Sequence, residues 1–129
     1  MNAPTLGPLA RRAIAYQDFV KGKAPRTMQP GFTFADWKDL AELVDTATFV
    51  RVPKHGEAMN WEAAVDLMHR SIGGTKDYTL HAATESGNRV ILEMEESVSR
   101  DGVGMVFDSV YIFTFNPAGK ITRLEVFMH

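Results

Sequence analysis

The sequence predicts an α+β fold, with helices laid on one face of an antiparallel sheet. Three observations lead there. Helical periodicity dominates to about residue 72 and period-two alternation takes over afterwards. Turn signals at Gly87-Asn88, Asp101-Gly102 and "NPAG" divide the second half into a continuous meander. Helices that precede the strands, instead of alternating with them, pack together on one side of such a sheet.

The elements follow in order. In "LARRAIAYQDFVKG", Leu9, Ala13, Tyr16 and Val20 fall on one apolar helical stripe, and Gly22 can end the helix. "KAPRTMQPGF" holds two prolines and a glycine and reads as a loop. "TFADWKDLAELV" opens with Thr33 and Asp36 in capping-box spacing, and Phe34, Trp37, Ala41 and Val44 then share a face. "ATFVRVP" is a short strand stopped by Pro53. In "NWEAAVDLMHRSIGG", Asn60 is the N-cap, Trp61, Val65, Met68 and Ile72 form the buried stripe, and Gly73-Gly74 terminates it. Four strands follow, at roughly 77–85, 89–98, 104–115 and 120–128.

The composition describes one ordinary domain spanning residues 1–129. With 14 Lys plus Arg against 16 Asp plus Glu, it lacks the basic excess of a nucleic-acid binder. The chain has no cysteine, which excludes disulfides, thiolate nucleophiles and Cys-based zinc sites and suits a reducing cytoplasm. No apolar run approaches the roughly 18 residues that cross a bilayer, and "MNAPTLGPLARRA" lacks the layout of a signal peptide. We therefore expect a cytoplasmic protein with no nucleic-acid or membrane partner.

The turn positions set a cross-strand register, and cross-strand partners share a face. His81 should oppose Met94, Ala83 oppose Leu92, and Thr79 oppose Glu96. On the next pair of strands, Met94 should oppose Ser109, Leu92 oppose Tyr111, and Glu96 oppose Phe107. One face then carries His81, Ala83, Val90, Leu92, Met94, Glu96, Met105, Phe107, Ser109, Tyr111, Phe113 and Phe115, and should lie under the helices. The other carries Arg89, Glu93, Glu95 and Asp108 with an apolar strip of Val106, Val110 and Ile112. That strip suggests a homodimer formed sheet to sheet.

Four polar residues interrupt the aromatic face: His81, Glu96, Ser109 and Tyr111. Same-face neighbours lie about 5–8 Å apart, so these groups can converge on one cavity. A carboxylate among apolar neighbours can act as general base or acid, a histidine can share the role, and a buried tyrosine hydroxyl can stabilise an oxyanion. The competing reading is a set of satisfied core groups, with Glu96 reaching solvent at its strand end. Glu62, Asp66 and His69 share a helix face, but a solvated polar face explains them, with His69 favourable to the helix dipole. His55 and His129 have no defined partner. "GNRV" and "DGVG" are turns and not phosphate loops, because no helix follows either one. No cofactor or metal is expected.

With the strands placed, "LAELVDTATFVRVP", "NWEAAVDLMHR" and above all "DSVYIFTFNPAGKITRLEVFMH" resemble the nuclear transport factor 2-like superfamily, in particular its SnoaL-like polyketide cyclase branch. The resemblance covers most of the chain and is weakest over residues 22–36. It implies a cone-shaped α+β barrel with a curved sheet and the helices on its concave face. Isomerases, cyclases, epoxide hydrolases, dehydratases and non-enzymatic binders all use this container. By resemblance to ketosteroid-isomerase-like members, Tyr16 and Tyr111 occupy hydrogen-bond-donor positions. The aspartate base of those members is replaced here by Arg51 or Val52, and neither can abstract a proton. Asp108, the nearest candidate for a cyclase aspartate, points to the other face, and the epoxide-hydrolase Asp-Arg-Asp set is not visible. The expected catalytic groups are therefore His81, Glu96, Tyr111 and Tyr16. The expected pocket lining is Trp37, Trp61, Leu92, Met94, Phe107, Ser109 and Phe113, suited to an apolar small molecule. The alternative is a binding or assembly module with the same fold.

Overall fold

A computed structural model describes residues 6–27, 29–71 and 74–128 of the chain. Helix α1 (Pro8–Lys23) begins with proline at its first turn, where the missing N–H removes no helical hydrogen bond. The Glu85 carboxylate accepts from the Ala10 N–H at 2.7 Å, which places a negative charge at the positive end of the helix. A Cβ at Gly7 would lie 2.6 Å from Glu85 Oε1, so a larger residue there would have to push the Glu85 carboxylate aside. The helix runs past Gly22, and Lys23 pairs with Asp39 at 2.8 Å.

The second helical segment is shorter than its periodicity predicts. A 3₁₀ turn (Phe34–Trp37) leads into α2 (Lys38–Ala41), and the Thr33–Asp36 capping box forms as expected. The helix stops because residues 43–45 bond instead to the final strand: Ile121 N–H donates to Leu43, and Asp45 N–H donates to Ile121. Trp37 and Val44 are buried, but Phe34 is 52% exposed and does not join their face. In α3 (Trp61–Ser71), Asn60 caps the Ala63 N–H at 2.9 Å, and Trp61, Val65 and Met68 are buried. Ile72 and Gly73 lie outside the described residues.

The strands are β1 (Val50–Val52), β2 (Thr75–Ser86), β3 (Arg89–Arg100), β4 (Val103–Phe115) and β5 (Ile121–Met128). They form one curved, unclosed sheet in the order β1-β5-β4-β3-β2. All pairs are antiparallel except β1 with β5. Gly87, Asp101 and Gly102 adopt positive φ in the two tight turns, as hairpins of this length require. Along β3 and β4 the expected register holds at every named pair: Met94 faces Ser109, Leu92 faces Tyr111, and Glu96 faces Phe107. Strict alternation then buries Val90, Leu92, Met94, Glu96, Ser109, Tyr111, Phe113 and Phe115 together.

Along β2 the expected register fails halfway. Ala83 opposes Leu92 as predicted, but a β-bulge intervenes between Leu80 and Ala82. Beyond it Leu80, not His81, opposes Met94, and Tyr78, not Thr79, opposes Glu96. His81 is the extra residue, and the bulge turns it onto the exposed outer face. The inward positions at this end of β2 become Lys76, Tyr78 and Leu80.

The core between α1, α3 and the sheet is aromatic. Tyr16 packs edge-on against Phe113 at 5.6 Å, and Phe49 against Trp61 at 5.3 Å. The helices do not cover the whole concave face, since Val103 and Met105 at the start of β4 remain mostly exposed. Among the described residues, no helix is long and apolar enough to cross a membrane.

Candidate functional site

Between α1, α3 and the uncovered end of the sheet lies a cavity of about 350 Å³. Its wall is mainly apolar, with Val20, Met68, Val98, Phe107, Leu124 and Met128 among the contributors. The polar groups reaching it are Tyr16 and Gln17 from α1, Arg51 from β1, Lys76 from β2, Glu96 from β3 and Tyr111 from β4.

Glu96 is the centre of this set. Its side chain is 0% exposed, so the strand-end position does not bring it to solvent. Oε1 pairs with the Lys76 ammonium at 3.1 Å and accepts from the Tyr111 hydroxyl at 3.3 Å, whereas Oε2 is buried with no hydrogen-bond partner among the described residues. A buried carboxylate with one oxygen anchored and the other unpaired is held in a fixed orientation with a free lone pair.

Both cavity tyrosines stay protonated. Burial pushes the Tyr16 hydroxyl well above its ordinary value, partly offset by the positive charge of Arg51. Burial raises Tyr111 as well, reinforced by the negative charge of Glu96. Tyr111 donates to Glu96, while Tyr16 makes no side-chain hydrogen bond among the described residues and lines the cavity.

Of the residues expected at the site, Glu96, Tyr111, Tyr16 and Phe107 line the cavity. His81 does not, and the bulge is the reason. On the outer face its imidazole joins Glu95 and Asp108, with ligand-capable atoms all within 4.8 Å of one another. Glu95 and Asp108 are direct cross-strand partners. Ser109 is buried on the expected face, yet its hydroxyl has no partner and is not part of the cavity wall. Leu92, Met94 and Phe113 are closed into the core beneath the cavity, with Met94 sulfur accepting from Gln17 Nε2 at 3.5 Å. Trp37 and Trp61 line a separate depression of about 470 Å³ between the short helix and α3. Trp37 ends the 3₁₀ turn and Trp61 opens α3, more than a turn before Met68, and both side chains are buried in the core instead.

Three cavity groups escaped the sequence reading. Lys76 is placed outward by simple alternation and comes inward only because of the bulge. Its signal was the phase break in "DYTLHAAT", where Tyr78 and Leu80 are out of step with Ala83. Gln17 lies four residues after Ala13 on the helical stripe, a polar group where an apolar one was expected. Arg51 was noticed only as a position where a base is missing.

No family model matches the chain, and no curated protein matches its sequence. Solved structures match it throughout its length. A protein described as a SnoaL-like polyketide cyclase from Shewanella putrefaciens superposes with a TM-score of 0.77 at 12% identity, covering 96% of this chain and 91% of its own. An epoxide hydrolase of M. tuberculosis, likened to LEH, gives 0.67 at 14%, covering 95% and 86%. A protein of ketosteroid isomerase-like fold from Catenulispora acidiphila, solved in complex with trimethylamine, gives 0.70 at 15%, covering 95% and 86%. The fold of this chain is therefore that of the nuclear transport factor 2-like, SnoaL-like proteins.

Proposed function

We propose that this chain of nuclear transport factor 2-like fold is a cofactor-free acid/base enzyme acting on an apolar small molecule, with Glu96 as the proton-transferring group. The observation that carries this reading is the unpartnered Oε2 of a fully buried carboxylate at a cavity wall. The reaction class is proton removal from a carbon next to a carbonyl, as in an isomerase, cyclase or dehydratase. Glu96 Oε2 takes the proton, the Tyr16 hydroxyl donates to the enolate oxygen as charge develops, and the proton returns from Glu96 to complete an isomerisation. Tyr111 and Lys76 hold Oε1 so that Oε2 keeps its direction. The solved SnoaL-like and epoxide-hydrolase neighbours support small-molecule chemistry in such a container.

The test is proton exchange. Bicyclic and tricyclic ketones incubated with the protein in D₂O should exchange their α-protons above background by NMR. Glu96→Gln should cut the rate by about 10²-fold or more. Equal rates in both proteins, or no exchange with any ketone, would remove the enzyme reading. The alternative, a binding module, draws support from the Lys76–Glu96 pair, which also serves as a purely structural ion pair. We place the protein in the cytoplasm, where a chain without cysteine is at no disadvantage.

We also propose a homodimer through the outer sheet face. Val110 and Phe127 are cross-strand partners there, and they adjoin Ile112 and the exposed Val106. Arg89 and Arg123, which share Glu125 at 3.2 and 3.6 Å, give one end of this face a single net positive charge, and Glu93, Glu95 and Asp108 lie at the other. A two-fold axis through the apolar middle would set the basic end of one copy against the acidic end of the next. Sedimentation at micromolar concentration should give a dimer, and Val110→Lys should give a monomer. A wild-type monomer would exclude the arrangement.

A further inference from the structure

Among the described residues Arg51 has no counterion, although it lines an apolar cavity. The position follows from the register of β1. Val50 and Val52 pair with Arg123 and Glu125 on the outer face, and Arg51 pairs with the buried Leu124 on the inner one. Its backbone is fixed twice over, donating to Met59 at 2.8 Å and accepting from Met59 at 2.9 Å. The side chain lines the cavity. Among the described residues, no carboxylate lies within ion-pair distance of it. Lys76, the other cation of the cavity, is already paired with Glu96.

A guanidinium carries five donors and cannot discharge itself by losing a proton. Arg51 is half-buried against an apolar wall, where an arriving anion gains a charge-assisted, bidentate pair that exposed water competes with less. Among the described lining residues, two cations against one carboxylate leave one positive charge in excess, which a single monoanion balances. The Arg51 charge is also close enough to both Tyr16 and Tyr111 to counter part of the effect of their burial. An anion on Arg51 would therefore lie near the Tyr16 hydroxyl.

We infer that the cavity takes an apolar ring compound bearing a carboxylate, with the carboxylate seated on Arg51 and the ring against Met68, Phe107 and Leu124. This names the substrate class of the same cavity. It rests on the acid/base reading for the chemistry, but the binding preference stands apart from that reading.

Calorimetry with the intact protein tests it, using 2-naphthoate, neutral 2-naphthamide and 2-naphthyl phosphate as probes. Naphthoate should bind roughly tenfold or more tightly than naphthamide. Arg51→Met should abolish that preference while leaving naphthamide affinity within about twofold, since only the charged contact is lost. Arg51→Gln serves as the second variant, with the same expectation. Glu96→Gln should keep the preference while losing proton exchange. Wild-type protein with the preference but no exchange would therefore refute the enzyme reading alone. Equal affinity for naphthoate and naphthamide, a preference surviving both Arg51 variants, or no naphthoate binding at about 5 mM would overturn the inference. Tighter binding of the phosphate than of naphthoate would overturn the assignment of a monoanion.

Discussion

Replacing Lys76 with Met removes the ammonium from Glu96 while retaining most of the apolar stem. At the 3.1 Å separation, with an effective dielectric of about 20, the lost attraction is about 5 kcal/mol. Removing Lys76 also ends the cost of desolvating the ammonium, and the Tyr111 hydroxyl at 3.3 Å still holds Oε1, so the net loss is smaller. We expect Lys76→Met to destabilise the protein by about 3 kcal/mol at pH 8, or about 10 °C in Tm for a domain of this size. Lys76→Met combined with Glu96→Gln should recover most of the loss at pH 8, since neither charge then remains. Urea denaturation of the four proteins at pH 8 completes the cycle. A loss below about 1 kcal/mol at pH 8, or a coupling energy below about 0.5 kcal/mol, would show that the bulge does not deliver Lys76 to Glu96.

Two further outcomes follow from the same geometry. Deleting His81 should leave the fold and the cavity intact, with a stability change within about 1 kcal/mol, because His81 is the unpaired residue of the bulge and both flanking registers survive its removal. Crystallography or heteronuclear NMR of the deletion variant would check this, and loss of cooperative unfolding would contradict it. In alkali, stability should fall as pH rises above about 10. There the unfolded tyrosines lose protons that the buried Tyr16 and Tyr111, with their raised values, retain. Each contributes a slope of up to about 1.4 kcal/mol per pH unit. Tyr16→Phe and Tyr111→Phe should each flatten the slope measured by urea titration between pH 10 and about 12. An unchanged slope in both would argue against their burial.

The α+β class, the meander and the inward face of β3 and β4 were all legible in the sequence, because each depends on local chemistry. Turn residues demand positive φ at Gly87 and Gly102, alternation sends every second side chain inward, and Asn60 caps its own helix. From those rules alone Glu96 and Tyr111 could be placed near one another, and the resemblance added Tyr16. The surroundings of Glu96 could not. Whether a strand-end carboxylate meets solvent depends on what covers it, and here α1, α3 and Lys76 do so from distant parts of the chain. The shortening of the second helix has a similar origin: Ile121, almost eighty residues later, claims the backbone of Leu43 and Asp45.

The bulge at His81 marks the boundary between what the sequence determined and what only the tertiary structure decided. A period-two pattern specifies faces only while the pairing stays in step, and one extra residue reverses every assignment beyond it. The phase break in "DYTLHAAT" permits the extra residue but does not place it; the bulge is accepted because Tyr78 and Leu80 are better accommodated inward than Thr79 and His81. That choice moved a histidine out of the site and a lysine into it. The sequence determined the container and its carboxylate. Packing across the sheet decided which charges face that carboxylate, because the cost of burying them is set by neighbours that no local pattern names.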